Sequence, residues 1–156
     1  LPDQDASEIN FKLAEREINT NGLSVISLLT ILSPKLKQQG NGTIAVITSV
    51  AGDRGRASNF VYGAAKSMVS AYLQGMRGKL FPHKVHMVDI RPGLVDSPMT
   101  AHLKKGLLWS SPESIANKIV AGIAAGKHTL YAPGYWRVIM FVVRLIPEFI
   151  FKRLKF

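Results

Sequence analysis

A tyrosine and a lysine four residues apart, Tyr62 and Lys66, are the residues of this chain best suited to chemistry. In a helix this spacing places both on one face, where their polar ends can converge. A neighbouring ammonium favours the phenolate and lowers the pKa of a tyrosine from its ordinary value of about 10. Ser49 stands thirteen residues earlier, at the end of an apolar run, and its hydroxyl is placed to hold a substrate oxygen. These residues predict proton transfer to or from an alcohol oxygen.

The elements that must position these side chains alternate between helix and strand. Helical periodicity, β-branched apolar runs and Gly or Pro breaks predict this order. The predicted elements are a long helix 6–37 bent near 21–22, a strand 43–48 buried on both faces, a loop 51–59, a helix 61–80, a strand 85–90, a helix from Pro112 to Ala125 capped by Ser111, and a short strand 129–131. We therefore expect an α/β fold, a Rossmann-like doubly wound parallel sheet with three strands and flanking helices.

Three segments in this order resemble the short-chain dehydrogenase/reductase family. They are Ser49-Val-Ala-Gly52, Tyr62-Gly-Ala-Ala-Lys66 and Arg91-Pro-Gly-Leu-Val-Asp-Ser97. The resemblance implies that Tyr62 is the general acid/base, that Lys66 lowers its pKa and contacts the nicotinamide ribose, and that Ser49 orients the substrate carbonyl or hydroxyl. It also implies that the cofactor is NAD or NADP, without choosing between them.

The same resemblance assigns an asparagine and a loop. Asn19 corresponds to the family asparagine that supports a proton relay, and Asn21 is a rival that the Asn-x-x-Gly spacing before Gly22 disfavours. For the loop after the second strand, the resemblance implies that Pro92 and Gly93 turn the chain, that Val95 would meet the nicotinamide carboxamide, and that Ser97 stands where threonine is usual. Arg54 and Arg56, which follow Ser49, are candidates to face an acidic substrate.

The resemblance starts in the middle of the family pattern. No strand leads into Gly52, Gly55 or Gly63 in the strand-turn-helix arrangement that holds a pyrophosphate, so these glycines do not replace the family's Gly-rich turn. We therefore expect this chain to be the C-terminal catalytic part of a longer protein. Its first unit is expected over residues 1–132, and its second, over 133–156, is an apolar and basic helical tail.

The overall composition narrows the class of partner. Twenty Lys and Arg against 10 Asp and Glu give a net charge of +10, which favours an anionic partner. The basic residues are scattered without a nucleic-acid-binding motif, so no nucleic acid is predicted. The chain has no cysteine, and its four histidines lack the ligand pairing of a zinc site apart from His83 and His86, which we interpret as structural. No metal is predicted.

The tail, residues 134–156, combines a largely apolar helix with Tyr135, Trp136 and terminal cations, and Pro147 is expected to break it. Aromatic and cationic residues anchor helices at lipid headgroups, so peripheral membrane contact is one interpretation. A subunit contact or a substrate-pocket helix is the other. The resemblance implies a homo-oligomer, a dimer or tetramer. The tail would place the protein in the cytoplasm at the inner face of a membrane.

The function predicted is an NAD(P)(H)-dependent oxidoreductase of the alcohol–ketone class, with Tyr62 as general acid/base and a small-molecule or lipid-linked substrate. Two alternatives stay open. One is a non-catalytic Rossmann-like protein that binds a nucleotide or a partner. The other is a basic peripheral membrane protein for which the fold is only a scaffold.

Overall fold

A computed structural model describes residues 4–101 and 103–154; the predicted anchor Lys155 and the histidine His102 lie outside this part. The helices are α1 (Gln4–Ile9), α2 (Phe11–Ile18), α3 (Ser24–Gln39), α4 (Phe60–Leu80), α5 (Pro112–Ala124), α6 (Trp136–Leu145) and α7 (Glu148–Phe151). The strands are β1 (Gly42–Ile47), β2 (Val85–Pro92), β3 (Leu94–Val95), β4 (Trp109–Ser110) and β5 (Thr129–Ala132).

The three longer strands form one parallel sheet in the order β1-β2-β5, which confirms the predicted α/β fold and Rossmann-like sheet. Helix α4 connects β1 to β2, and α5 lies between β2 and β5 along the chain, as crossover connections require. The sequence did not predict the pair β3 and β4, which comprises two residues in each strand and lies beyond the end of β2.

Alternate residues of β2 face two different sets of helices. Ile44, Val85 and Met87 pack with Leu29 of α3 and Leu73 of α4. On the other face, β2 and β5 pack against α5, in a cluster that contains Val88, Ile90, Leu130, Ile119 and Ile123. Because side chains alternate along a strand, Asp89 and Arg91 share the α4 face of β2 with Met87.

The prediction that the first strand is buried on both faces is wrong for the residues described. On β1, Thr43, Ala45 and Ile47 are exposed, and the side chain of Ile47 is 58% exposed. In the sheet that the described residues form, β2 lies at the centre and is covered on both sides, whereas α5 covers β2 without reaching the second face of β1. Composition alone does not distinguish these two strands.

The predicted helix 6–37 is interrupted at two places. Asn10 ends the first piece and caps α2, because its side chain accepts a hydrogen bond from the Lys12 amide at 3.1 Å. Between α2 and α3 the chain widens into a π-helical turn over Asn19–Leu23. At Gly22 a Cβ atom would lie 2.2 Å from the flexible end of Met68 and 3.6 Å from the Ala65 carbonyl oxygen, so this turn packs closely on α4. Such turns are frequent at functional sites.

The C-terminal segment packs on the sheet and breaks where the sequence predicts. Helix α6 ends at Leu145, and α7 begins after Pro147. The buried face of α6 carries Trp136 and Met140, which contact Val50 in the turn after β1.

Candidate active site

The Ser49 side chain lies near enough to Tyr62 to lower the pKa of the Tyr62 hydroxyl through hydrogen bonding. Ser49 immediately precedes the short 3-10 turn Val50–Asp53, and its Oγ accepts a hydrogen bond from the Ala51 amide at 3.1 Å. Tyr62 is in the first turn of α4. The serine therefore has a fixed orientation at the end of a strand, beside the tyrosine hydroxyl.

Lys66 occupies the next turn of α4 and faces the same end of the sheet. Its Nζ lies 5.6 Å from the centre of the Tyr62 ring and 3.4 Å from the carbonyl oxygen of Ile47, to which it donates a hydrogen bond. Burial lowers the pKa of Lys66. The structure thus brings together the three residues that the sequence singles out for proton transfer.

Two glycines let the Ser49 turn lie directly on the backbone of α4. A Cβ atom at Gly52 would be 2.8 Å from the Ser67 nitrogen and 2.9 Å from the Lys66 carbonyl carbon. A Cβ atom at Gly63 would be 2.9 Å from the carbonyl oxygen of Ala51. The two segments therefore approach each other as closely as backbone atoms permit, which holds Ser49 beside Tyr62.

We expect Gly52→Ala to separate the turn from α4. The added methyl group would meet backbone atoms, which cannot rotate away, so the free energy of unfolding should fall by about 2–3 kcal/mol, the upper part of the usual range for overpacking. Gly55→Ala is the matched control, because no atom of the residues that the structure describes lies within 4 Å of a Cβ atom there. Urea unfolding of both variants measures the difference. Equal stability for the two variants would contradict this packing.

Two charged residues that the sequence did not assign to proton transfer surround Tyr62. Burial raises the pKa of Tyr62; the Ser49 hydrogen bond lowers it, the Glu17 carboxylate raises it, and the Arg56 guanidinium lowers it. The net pKa is raised, contrary to the expectation drawn from Lys66. Glu17 is itself buried, and burial raises its pKa. In the sequence, Glu17 is marked only as a carboxylate two residues before Asn19 in an amphipathic helix, which does not indicate that it lies near Tyr62.

Asn19 begins the π-helical turn that packs against α4. Its side chain is exposed and has no hydrogen-bond partner among residues 4–101 and 103–154. Asn21, the rival, donates from Nδ2 to the Glu17 carbonyl oxygen at 3.2 Å and is tied to its own helix. This difference is consistent with the choice of Asn19, whose role stays a prediction.

The predicted cofactor loop leaves β2 at the same edge of the sheet as Ser49. Pro92 ends β2, and the Gly93 amide donates to the Ala132 carbonyl oxygen at 3.0 Å. Val95 belongs to β3, and Ser97 caps the next turn together with Thr100. At Gly93 a Cβ atom would overlap the Trp136 ring, so glycine is needed for α6 to approach this loop.

Arg54 does not face a free substrate pocket as the sequence suggested. Its Nη1 donates to the carbonyl oxygens of Val143 and Ile146 at 2.6 and 2.5 Å, and its Nη2 contacts Glu148 at 2.9 Å. The guanidinium also lies 3.7 Å from the centre of the Phe151 ring. Arg54 therefore binds the end of α6 and the start of α7 to the turn that follows Ser49.

The family model for short chain dehydrogenases matches residues 1–107 of this sequence. The chain belongs to the short-chain dehydrogenase family. The match includes Ser49, Tyr62, Lys66 and the loop from Pro92 to Ser97, which are the residues that carried the resemblance.

The curated relatives of this short-chain dehydrogenase chain include proteins named as oxidoreductases or reductases. An uncharacterized oxidoreductase of Mycobacterium tuberculosis is 31% identical over 154 residues, which cover 99% of this chain and 62% of that protein. An uncharacterized oxidoreductase of Streptomyces coelicolor is 33% identical over 90% of this chain and 56% of its own length. The ketoacyl reductase HetN of Nostoc is 34% identical over 73% of this chain and 42% of that protein.

Solved short-chain dehydrogenases share the fold. The enzyme of Burkholderia cenocepacia, crystallised with NADP, superimposes with a TM-score of 0.82 at 20% identity, covering 93% of this chain and 60% of that one. The enzyme of Sphingobium yanoikuyae, crystallised with NADPH, gives a TM-score of 0.71 at 19% identity, covering 86% and 57%. This chain spans about three fifths of the length of the first relatives it matches.

Proposed function

We propose that this chain is the catalytic part of an NAD(P)(H)-dependent oxidoreductase that interconverts a ketone and a secondary alcohol. The observation that carries the proposal is the convergence of Ser49, Tyr62 and Lys66 at one end of the sheet. Ligands of open parallel sheets bind beyond the carboxyl ends of the strands, where these residues lie.

The residues present suit the nicotinamide end of the cofactor. An ammonium has three donors, and Lys66 makes one hydrogen bond to the described residues, which leaves donors for ribose hydroxyls. Pro92, Gly93, Val95 and Ser97 would flank the ring. The described residues contain no Gly-rich turn between a strand and a helix, the unit that would hold the pyrophosphate. The proposal for this chain therefore concerns the nicotinamide half.

The side chains divide the acid–base work between them. The bound cofactor supplies or accepts hydride at the substrate carbon. Tyr62 donates a proton to the substrate oxygen during reduction and removes it during oxidation, and Ser49 donates a hydrogen bond to the same oxygen. The ammonium group of Lys66 places a positive charge near the Tyr62 ring. Asn19 is proposed to support a relay of protons toward Tyr62.

This function is tested by an activity assay on the natural protein that carries this chain. The protein is mixed with NADPH or NADH and with each of a panel of ketones and ketoacyl thioesters, and the loss of absorbance of the reduced nicotinamide is followed. Turnover of at least one carbonyl substrate is expected. Tight cofactor binding with no turnover across the panel would instead favour a non-catalytic nucleotide-binding protein.

We expect the two reaction directions to depend oppositely on pH. Because the pKa of Tyr62 is raised, its protonated form is fully present at neutral pH, and kcat/KM for reduction should be flat there and fall as pH rises through that pKa. Oxidation needs the phenolate, so its kcat/KM should rise over the same range. Arg56→Met removes a charge that lowers this pKa and should move both limbs to higher pH. A shift to lower pH would contradict the assignment.

We also propose that the substrate is carried on a lipid and that the tail contacts a membrane surface. The outer face of α6 and α7 exposes Val138, Phe141, Val142, Leu145 and Phe149, each more than half exposed. Trp136, a predicted anchor, is instead buried against Val50, so the exposed phenylalanines would take that role. The name of the Nostoc relative, a ketoacyl reductase, supports an acyl-linked substrate.

Charge on the same face favours an anionic lipid surface over a second subunit. Arg137 and Arg144 line an open cleft of about 280 Å³ with Tyr131, Val138 and Phe141. Neither arginine has an acidic partner within the part of the chain that the structure describes. No helix of that part is long and apolar enough to cross a membrane.

Flotation with phosphatidylglycerol and phosphatidylcholine vesicles tests this contact. At about 1 kcal/mol per cation near an anionic surface, the double variant Arg137→Gln, Arg144→Gln should bind phosphatidylglycerol vesicles at least tenfold more weakly. Lys35→Gln, Lys37→Gln removes equal charge from α3 and should bind like the unaltered protein. Equal losses of vesicle binding in both double variants would mean that only net charge matters, which would contradict a specific contact by this face. If the protein is a dimer that Phe141→Ser dissociates, the face is a subunit contact and the membrane proposal is wrong.

A further inference from the structure

A buried cluster of charged and polar side chains lies under the Ser49 turn. Arg91 donates to Asp89 from Nε at 2.9 Å and from Nη2 at 2.7 Å, and from Nη1 to Asp53 at 2.5 Å. The Tyr131 hydroxyl donates to Asp53 at 2.8 Å, and the Thr48 hydroxyl donates to Asp89 at 2.5 Å. The side chains of both aspartates are almost fully buried, and that of Arg91 is 10% exposed.

The cluster joins the two segments that carry the proposed site. Thr48 precedes Ser49 and Asp53 ends its 3-10 turn, so the cluster holds the turn at both ends. Arg91 directly precedes Pro92, the first residue of the cofactor loop. A single guanidinium thus links the strand that leads into the cofactor loop to the far end of the Ser49 turn.

The energetics of buried ion pairs favour a role for this cluster in fixing the positions of its side chains over a role in raising stability. Replacing a buried ion pair by apolar residues is often neutral or stabilising, whereas removal of one partner leaves a charge uncompensated. Burial disfavours the charge of Arg91, but the hydrogen bonds and charges of Asp89 and Asp53 outweigh it and hold its pKa above the ordinary value. The guanidinium therefore stays charged and keeps a fixed, planar set of hydrogen bonds.

We propose that Arg91 and Asp53 are positioning residues that fix the Ser49 hydroxyl relative to Tyr62 and to the Pro92–Gly93 loop. The proposal rests on the proposed function, since it names what holds the same site in place. Neither residue is proposed to touch substrate or cofactor. A displacement of about 1 Å in a reacting group can cost a hundredfold in rate, so loss of either residue should act on kcat.

The test compares Arg91→Met with Arg77→Met in the natural protein that carries this chain. Arg77 is a matched control: it bonds the carbonyl oxygens of Met87, on the same strand, and His128, and it touches no part of the Ser49 turn. Arg91→Met should lower kcat about 30- to 100-fold and change the Kd of the reduced cofactor, NADPH or NADH, less than threefold. Arg91→Lys should recover part of kcat, and Tyr131→Phe, which removes one bond to Asp53, should change kcat least.

A second readout does not depend on turnover. Hydrogen exchange at the Gly52 amide, which donates to the Ser49 carbonyl oxygen at 3.1 Å, should speed up at least tenfold in Arg91→Met and stay unchanged in Arg77→Met. Unchanged hydrogen exchange and unchanged kcat in Arg91→Met would overturn the proposal. It would also be overturned if kcat fell in both variants in proportion to their loss of unfolding midpoint, because the effect would then be one of stability alone. Faster exchange in a protein that turns over no carbonyl would support the positioning contact while refuting the proposed function.

Discussion

Tyr62→Phe should lower kcat by about 10²- to 10⁴-fold, the range for loss of a positioned general acid or base, while the reduced cofactor, NADPH or NADH, still binds. The substitution removes only the hydroxyl that lies beside Ser49 and keeps the ring under the Lys66 ammonium. Stopped-flow measurement of reduced-nicotinamide loss, with cofactor binding followed by fluorescence, gives both quantities.

Tyr72→Phe is the control for this variant. Tyr72 lies on the same helix, and its hydroxyl is 3.5 Å from that of Thr30, away from the Ser49 turn. Its kcat should stay within about twofold of the unaltered protein, as expected for a residue outside the chemistry. Similar losses at the two positions would mean that the hydroxyl of Tyr62 serves folding, and retained activity in Tyr62→Phe would remove it from proton transfer.

Ser49→Ala should lower kcat about 100-fold, close to the cost of removing one donor from an oxyanion site. Two effects are combined in this variant, because Ser49 Oγ also accepts a hydrogen bond from the Ala51 amide. Loss of such a cap costs about 1 kcal/mol of stability in its own right. Ser49→Thr keeps a hydroxyl and should recover part of the rate.

Ser111→Ala separates the two effects. Ser111 caps α5 by accepting a hydrogen bond from the Ser114 amide at 3.2 Å. Ser111→Ala should therefore lose about as much stability as Ser49→Ala, at a position far along the chain from Ser49. Thermal unfolding should show similar losses for both variants, and kcat should fall only for Ser49→Ala. Equal rates in the two variants would leave Ser49 with a capping role alone.

Local features of the sequence predicted which residues meet at the candidate site. The four-residue spacing of Tyr62 and Lys66, the apolar run before Ser49 and the Pro92–Gly93 break each reflect backbone geometry over a few residues. Such signals need no knowledge of distant contacts, and the elements they predicted lie within a few residues of the observed bounds. The Ser111 cap of α5 was predicted for the same reason.

The features that the sequence did not predict depend on contacts between distant segments. Arg54 bonds to carbonyl groups about 90 residues later, at the end of α6, and no local pattern marks that pairing. Burial of Trp136 against Val50 depends on the same docking. The pKa of Tyr62 is raised, chiefly by burial, whereas the sequence predicted a lowered pKa from the neighbouring lysine. Among the described residues, exposure of one face of β1 likewise reflects tertiary packing, because α5 covers β2 and does not reach β1.

Transfer of deuterium tests the central claim most directly. The natural protein that carries this chain would be given the reduced cofactor that it oxidises, NADPH or NADH, with deuterium at both C4 positions of the nicotinamide. A ketone substrate would be added, and the alcohol product analysed by mass spectrometry. The proposed function predicts deuterium on the carbinol carbon of the product, at a rate that Tyr62→Phe lowers at least a hundredfold. Alcohol without deuterium, or label transfer at an unchanged rate in Tyr62→Phe, would contradict it.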